Sequence, residues 1–312
     1  MKSSRQLAKE WPYPCFSQYR DELRKCANLW FESKGHQTHP KMNYCLDELD
    51  NWDCNIILPE VFDHIKNLKA EKEKNKSSFQ LHKYVHHGLS SQAMIFNLVG
   101  PLITQNDYQP LIHAFEKIGI KLENEITADF EFEDRKVFNE DSGQPTSIDL
   151  VLLDKNKNPF IFIESKLAEV EFGGCSVFTS GDCNGRNPIN NKSECYLHHI
   201  GRKYWDLLEK HGFNESLKDE KVCILINYYQ FFRELLFSIE NDGLFILLYD
   251  KRSPVFDNGM NRGLMPFLKE FIPEQHKDKI NMISIQEIVE SIEQFGNHSS
   301  WISDFKLKYG LI

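Results

Sequence analysis

Hydrophobic positions in the middle of this chain alternate with a period of two on either side of a polar turn. Ser147-Ile148-Asp149-Leu150-Val151-Leu152-Leu153 leads into Asp154-Lys155-Asn156-Lys157-Asn158-Pro159, and Phe160-Ile161-Phe162-Ile163-Glu164-Ser165-Lys166 leads out. Two apolar runs of strand length around such a turn predict a β-hairpin. With Asp154 paired to Pro159 across a four-residue loop, the antiparallel register sets Val151 opposite Phe162 and Asp149 opposite Glu164. Lys166 then shares a face with Glu164. Val151, Leu153, Phe160 and Phe162 fall on one face, Ile148, Leu150, Ile161 and Ile163 on the other. Both faces are apolar, so helices are expected over each.

Around the hairpin the pattern predicts a helix capped by Ser90 or Ser91 and ended by Gly100-Pro101, a helix over 111–118 and a strand over 126–132. Further on it predicts a long helix over 194–210, buried strands over 222–226 and 244–248, and a helix over 231–239 between them. The order is helix, three strands, helix, strand, helix, strand, which contains an αβββαβ core. The N-terminal stretch carries aromatic clusters such as Trp11-Pro12-Tyr13-Pro14 and ends in a lysine-rich run over 66–76. These shifts divide the α/β chain into a mostly helical region, 1–88, a core, 89–250, and a C-terminal helical extension, 251–312.

Composition narrows the class. A chain of 312 residues that is 41% hydrophobic can bury a sizeable core. Met1 to Glu10 has no apolar signal-peptide core and no later run approaches membrane-spanning length, so a cytoplasmic protein with no membrane partner is expected. Eight cysteines read as free thiols or metal ligands rather than a disulfide framework. A net charge of −9 argues against a protein that coats DNA, yet leaves room for an enzyme with an acidic cleft and a local basic surface. The 66–76 run offers such a surface, or a solvated helix end.

Opposed carboxylates at the end of an apolar hairpin repel each other unless a cation sits between them, which points to a hard divalent metal with a lysine beside it. The alternative is a same-face ion pair between Glu164 and Lys166, with Asp149 capping a turn. Asp149, then Glu164-Ser165-Lys166 one hairpin later, resembles the signature of the PD-(D/E)xK nuclease superfamily. The wider stretch from Leu89-Ser90-Ser91-Gln92-Ala93 through Phe96-Asn97-Leu98 to Arg202-Lys203-Tyr204-Trp205 is similar to a branch of restriction endonucleases. Thr146-Ser147-Ile148-Asp149 departs from the older signature, which has Pro just before Asp.

The resemblance implies a restriction-endonuclease-like core, with a mixed central sheet flanked by helices, and hydrolysis of phosphodiester bonds, most readily of DNA, in defence against foreign DNA. Asp149 and Glu164, with a carbonyl near Ser165, would hold Mg²⁺ or Mn²⁺, and Lys166 would orient or activate the attacking water. A further acid is expected from the preceding helices, for which Glu116 is the acidic candidate and Gln92 a neutral one. A homodimer is one assembly open to such a protein. The second reading is a nucleic-acid-binding or scaffold protein that keeps the fold without cleaving, against which the intact triad argues.

Two further clusters call for roles. Cys175, Cys183 and Cys195, followed by His198 and His199, lie in a Gly- and Asn-rich loop and could hold a structural zinc ion, or an iron–sulfur cluster if Cys223 or one of Cys15, Cys26, Cys45 and Cys54 supplies a fourth sulfur. The alternative places Cys195 in the apolar face of the following helix. Arg202 and Lys203 stand beside Tyr204 and Trp205 where DNA phosphates could be met, Arg202 foremost, with Trp205 buried. Glu169 and Glu171 are expected to face solvent.

Overall fold

The computed structural model describes residues 16–141, 143, 145–257 and 263–311; the Trp11–Pro14 cluster and Cys15 lie outside them. Helix α1 (Phe16–Lys34) is followed by a small ribbon, β1 (Thr38–His39) with β2 (Met42–Leu46), then α2 (Pro59–Lys74), α3 (Ser91–Thr104) and α4 (Gln109–Lys117). Strands β3 (Thr127–Glu133), β4 (Ser147–Leu153) and β5 (Pro159–Lys166) come next. Helices α5 (Tyr204–Lys210) and α6 (Leu225–Glu240) lead to β6 (Leu244–Tyr249), β7 (Ile280–Ser284), α7 (Ile285–Phe295) and α8 (Ser299–Tyr309).

The main sheet runs β3-β4-β5-β6-β7 in space. Its first two pairings are antiparallel and its last two parallel. A parallel neighbour for β5 requires a crossover, and α6 lies within it. The apolar faces of the sheet are covered as both-sided hydrophobicity demands. On one side Leu150, Leu152, Ile161 and Ile163 pack with α3 and α4; on the other Val151, Phe162 and Phe245 pack with α5 and α6. The first layer also takes in Tyr19 and Leu23 of α1 and Trp301 and Tyr309 of α8, so one core joins the two ends of the described chain.

Four expectations are corrected. Helix α3 does not stop at Gly100-Pro101 but runs to Thr104 with Pro101 inside it. Proline forfeits one backbone bond, and here burial on nearly every side holds the helix through it. Gly100 permits that packing, because a Cβ there would come within 2.5 Å of Val61 on α2. The 222–226 segment is not a strand: Val222 makes an isolated bridge to Arg186, and Leu225 already begins α6. A short apolar run without alternation suits a buried helix as well as a strand.

The long 194–210 helix is broken into Tyr196–His199 and α5, with Gly201 between them in the left-handed region at φ 86°. The stretch after 250, read as helical, contributes β7 to the sheet. Among the described residues no helix is long and apolar enough to cross a membrane.

Candidate active site

The hairpin register holds where it matters and fails at the turn. Val151 pairs with Phe162, as alternation required. Asp154, however, closes a tighter turn, its N–H donating to the Asn158 carbonyl at 3.0 Å, with Lys157 left-handed at φ 67°. Leu153 pairs with Pro159 and Leu152 with Ile161, which leaves Phe160 as a bulge. The bulge takes up the offset and turns Phe160 into the α3 layer rather than the face expected of it.

At the far end the ladder closes on Leu150–Ile163, and Asp149 and Glu164 are the next residues beyond that pair on the two strands. On the other flank Phe130 pairs with Leu150 and Phe132 with Ile148, which sets Glu131 opposite Asp149. Three carboxylates therefore stand in one transverse row across β3, β4 and β5. The pleat breaks at this row. Glu131 is left-handed, at φ 52°, and Phe130 packs in one layer while Phe132 packs in the other. Ile148 likewise leaves the face of Leu150 and joins the α6 layer, contrary to period-two alternation. Such strain on a non-glycine residue tends to collect at functional sites.

The row forms part of the wall of a cleft of about 820 Å³. Asp149 Oδ2 accepts the Ser165 N–H at 2.9 Å. Glu164 Oε1 accepts from Lys166 Nζ at 2.7 Å and from the Gln230 amide at 2.6 Å, and Lys166 also donates to Gln230 Oε1 at 3.0 Å. Gln230, from α6, thus ties acid and lysine together. Glu164 Oε2 is buried without a hydrogen-bond partner. Both Glu131 oxygens are occupied, one by the Gln92 amide at 2.6 Å and one by the Ser147 hydroxyl at 2.7 Å. Outside the row, Lys72 of α2 reaches the carbonyls of Phe130 and Glu131 at 2.6 and 3.0 Å.

Charge crowding sets the protonation states. Burial, then Glu164 and Glu131, hold the Asp149 carboxyl well above the usual range. Burial pushes Glu131 up to about 7. Glu234, one helical turn beyond Gln230, is fully buried with neither oxygen bonded, and burial followed by Glu164 raises it strongly. Burial works against the Lys166 ammonium, but Glu164, Glu169, Glu234 and Asp149 outweigh it, and its pKa stands above the ordinary lysine value. Lys166 is a fixed positive charge among acids.

Asp149, Glu164 and Lys166 are thus brought together. Gln92 reaches the cleft as a hydrogen-bond donor to Glu131, while Glu116 is exposed at the end of α4, outside the residues lining the cleft. Glu169 does not simply face solvent; it lines the cleft and accepts from the Ser91 hydroxyl and the Leu167 N–H. Sequence reasoning missed Glu131, Gln230 and Glu234. Carrying the register one strand upstream would have found Glu131. Gln230 became visible only once the helix began at Leu225 rather than Phe231, whereas Glu234 lay within the expected helix and carried no sequence signal of its own.

The remaining candidates lie elsewhere. Cys175 and Cys223 are buried, and burial raises both thiols, Cys223 to about 12. His198 turns its Nδ1 to Asp206 at 3.8 Å. Among the described residues no group of three or more His, Cys, Asp or Glu side chains is gathered to hold a metal ion, the cysteine loop included. Arg202 bonds the Asn139 carbonyl, the Lys203 N–H bonds the Phe138 carbonyl, and neither residue lines the cleft. Trp205 is buried as expected.

The site is thus an acid row with a lysine beside it, carried by β3, β4 and β5 of a mixed sheet. Residues 24–310 match a family model described as "Restriction Endonuclease associating with ARP", and the chain belongs to that family. No curated protein and no solved structure matches it.

Proposed function

We propose that this protein is a divalent-metal-dependent nuclease of the PD-(D/E)xK type that hydrolyses phosphodiester bonds of DNA. One observation carries the reading: Asp149 and Glu164 share a row beside Lys166 in an open cleft, and one oxygen of Glu164 is buried with no partner. A buried carboxylate oxygen left unbonded is costly, and a hard cation satisfies it. Asp149 and Glu164 would hold Mg²⁺ or Mn²⁺. Mg²⁺ ordinarily retains several waters and needs only one or two protein carboxylates, which suits this donor set. Bound there, the ion would polarise the phosphate and acidify a water.

The chain's own groups supply the rest. Lys166, held charged by its acidic neighbours, stabilises negative charge developing on the phosphoryl oxygens and positions the attacking water. Gln230 fixes the orientation of Glu164 and Lys166. Glu131, with both oxygens occupied, acts on Asp149 by charge rather than as an open ligand. Arg20, Lys83 and Arg233 line the same cleft and offset the acids toward an incoming phosphodiester. Supercoiled plasmid incubated with Mg²⁺, Mn²⁺ or EDTA and resolved on a gel tests the reading. Nicking or linearisation with either metal and none in EDTA is expected. No cleavage in any condition would leave a scaffold that retains the fold.

A further inference from the structure

Beside the cleft lies a second hollow of about 360 Å³, which shares Arg20, His82, Ser91 and Glu169 with it. Its distinctive lining is aromatic: Tyr44, Tyr84, His82 and His87. Tyr84 leaves 45% of its surface exposed, although its ring lies 5.3 Å from that of His82 and 4.9 Å from that of His87. The turn that carries these rings is anchored. Val85 is fully buried, and the buried Asn55 amide donates to the carbonyls of both Val85 and His87. An exposed ring on a rigid turn is a preorganised stacking surface.

The polar chemistry points the same way. Lys83 places its ammonium 4.7 Å from the centre of the Tyr84 ring, and the Arg24 guanidinium lies 5.1 Å from that of Tyr44. Burial lowers His82, and lowers His87 to about 4, so both imidazoles present uncharged faces near neutral pH. The acid of the hollow, Glu169, has its two oxygens occupied by Ser91 and Leu167. Aromatic rings with cations over them, bordering the cleft proposed for a phosphodiester, match a nucleotide whose base is not stacked in a duplex.

We propose that this hollow is a subsite for an unpaired nucleobase of the strand entering the cleft, with the base stacking on Tyr84 and Lys83 meeting a neighbouring phosphate. The inference rests on the nuclease reading and names its substrate class as a strand with at least one unstacked base. That base can come from a single strand or be extruded from a duplex.

Fluorescence anisotropy on the full chain in EDTA tests it, with labelled oligothymidylate, a blunt duplex, and the same duplex carrying one mismatch. Tyr84→Ala is expected to weaken oligothymidylate or mismatched-duplex binding by about tenfold and to leave the blunt duplex unchanged, while Tyr84→Phe binds as wild type. An effect on oligothymidylate identifies a single strand as the source, and an effect confined to the mismatched duplex identifies extrusion. Equal binding of all three probes by Tyr84→Ala and wild type, or equal weakening on all three, overturns the subsite. Metal-dependent cleavage with no Tyr84 effect sinks the subsite alone. A Tyr84 effect without any cleavage sinks the nuclease reading alone.

Discussion

The two ends of the central hairpin carry the same residue type under opposite conditions. At the turn, Asp154 is exposed, and the Asn158 and Asn156 N–H groups donate to it, so its carboxyl sits below the usual range. Five positions earlier, on the same strand, Asp149 is held well above it by burial and by Glu164 and Glu131. The turn end is arranged for stability and the cleft end against it. The crowding is the condition that the proposed cation would relieve, beside oxygens that already accept from Ser165, Lys166 and Gln230.

The largest break in that comparison is Lys166→Ala. Removing the charge among the acids is expected to lower cleavage at least ~100-fold. It should also destabilise the protein by about 3–5 kcal/mol, because both members of the Lys166–Glu164 pair are less than a tenth exposed and the acid is left alone. Plasmid cleavage and thermal melts measure both. A Lys166→Ala protein that cuts at the wild-type rate ends the assignment.

Asp149→Asn separates stability from function. In EDTA it should melt higher than wild type, since one of the facing carboxylates is gone, and it should not cleave. Added Mg²⁺ should raise the wild-type melting temperature and raise the variant's far less. Equal Mg²⁺ shifts, together with a less stable variant in EDTA, would show that Asp149 and Glu164 do not share a cation.

The pH dependence of the metal-free protein sharpens the contrast. Glu131 is raised from an ordinary glutamate to about 7, so the folded form holds its proton more tightly than the unfolded chain. Its contribution is favourable at acid pH and is lost as pH rises from ~4.5 to about 7, by on the order of 3 kcal/mol. Melts in EDTA across that window should fall for wild type and fall less steeply for Glu131→Gln, in which Asp149 and Glu234 still hold raised carboxyls; parallel curves would refute the assignment. The smallest effect belongs to Asp154→Ala. Its lowered carboxyl stabilises above the unfolded pKa near ~4 and loses that effect as pH falls through the folded value, so the variant should melt slightly lower at neutral pH, match wild type in strong acid, and cleave normally.

The hairpin was legible because two apolar faces with period-two spacing admit one register, and the acids ride on it. The bulge at Phe160 was not, since alternation says nothing of how a turn closes. The 222–226 segment is a helix start rather than a strand, a choice that a short apolar segment carries no periodicity to make, and that difference concealed Gln230. Strand β7, Ile280-Asn281-Met282-Ile283-Ser284, breaks alternation at its centre and sits beside β6, itself buried, so its signal was weak. The cysteine spacing suggested a site by count alone. The fold does set Cys183 and Cys195 near enough to Cys175 and Cys223 to push both thiols further up, while His198 Nδ1 lies 3.8 Å from Asp206.

Strand β3 lies at the open flank of the sheet, where an unpaired backbone would ordinarily invite a neighbouring chain to add a strand. Two features already met close that route. The backbone at Glu131 leaves the extended conformation, and the Lys72 ammonium occupies the carbonyls of Phe130 and Glu131 while pairing with Asp129 at 3.0 Å. A lysine from the charged run at the end of α2 thereby guards the flank against edge-to-edge pairing, and the distortion that brings Glu131 into the acid row breaks the same edge.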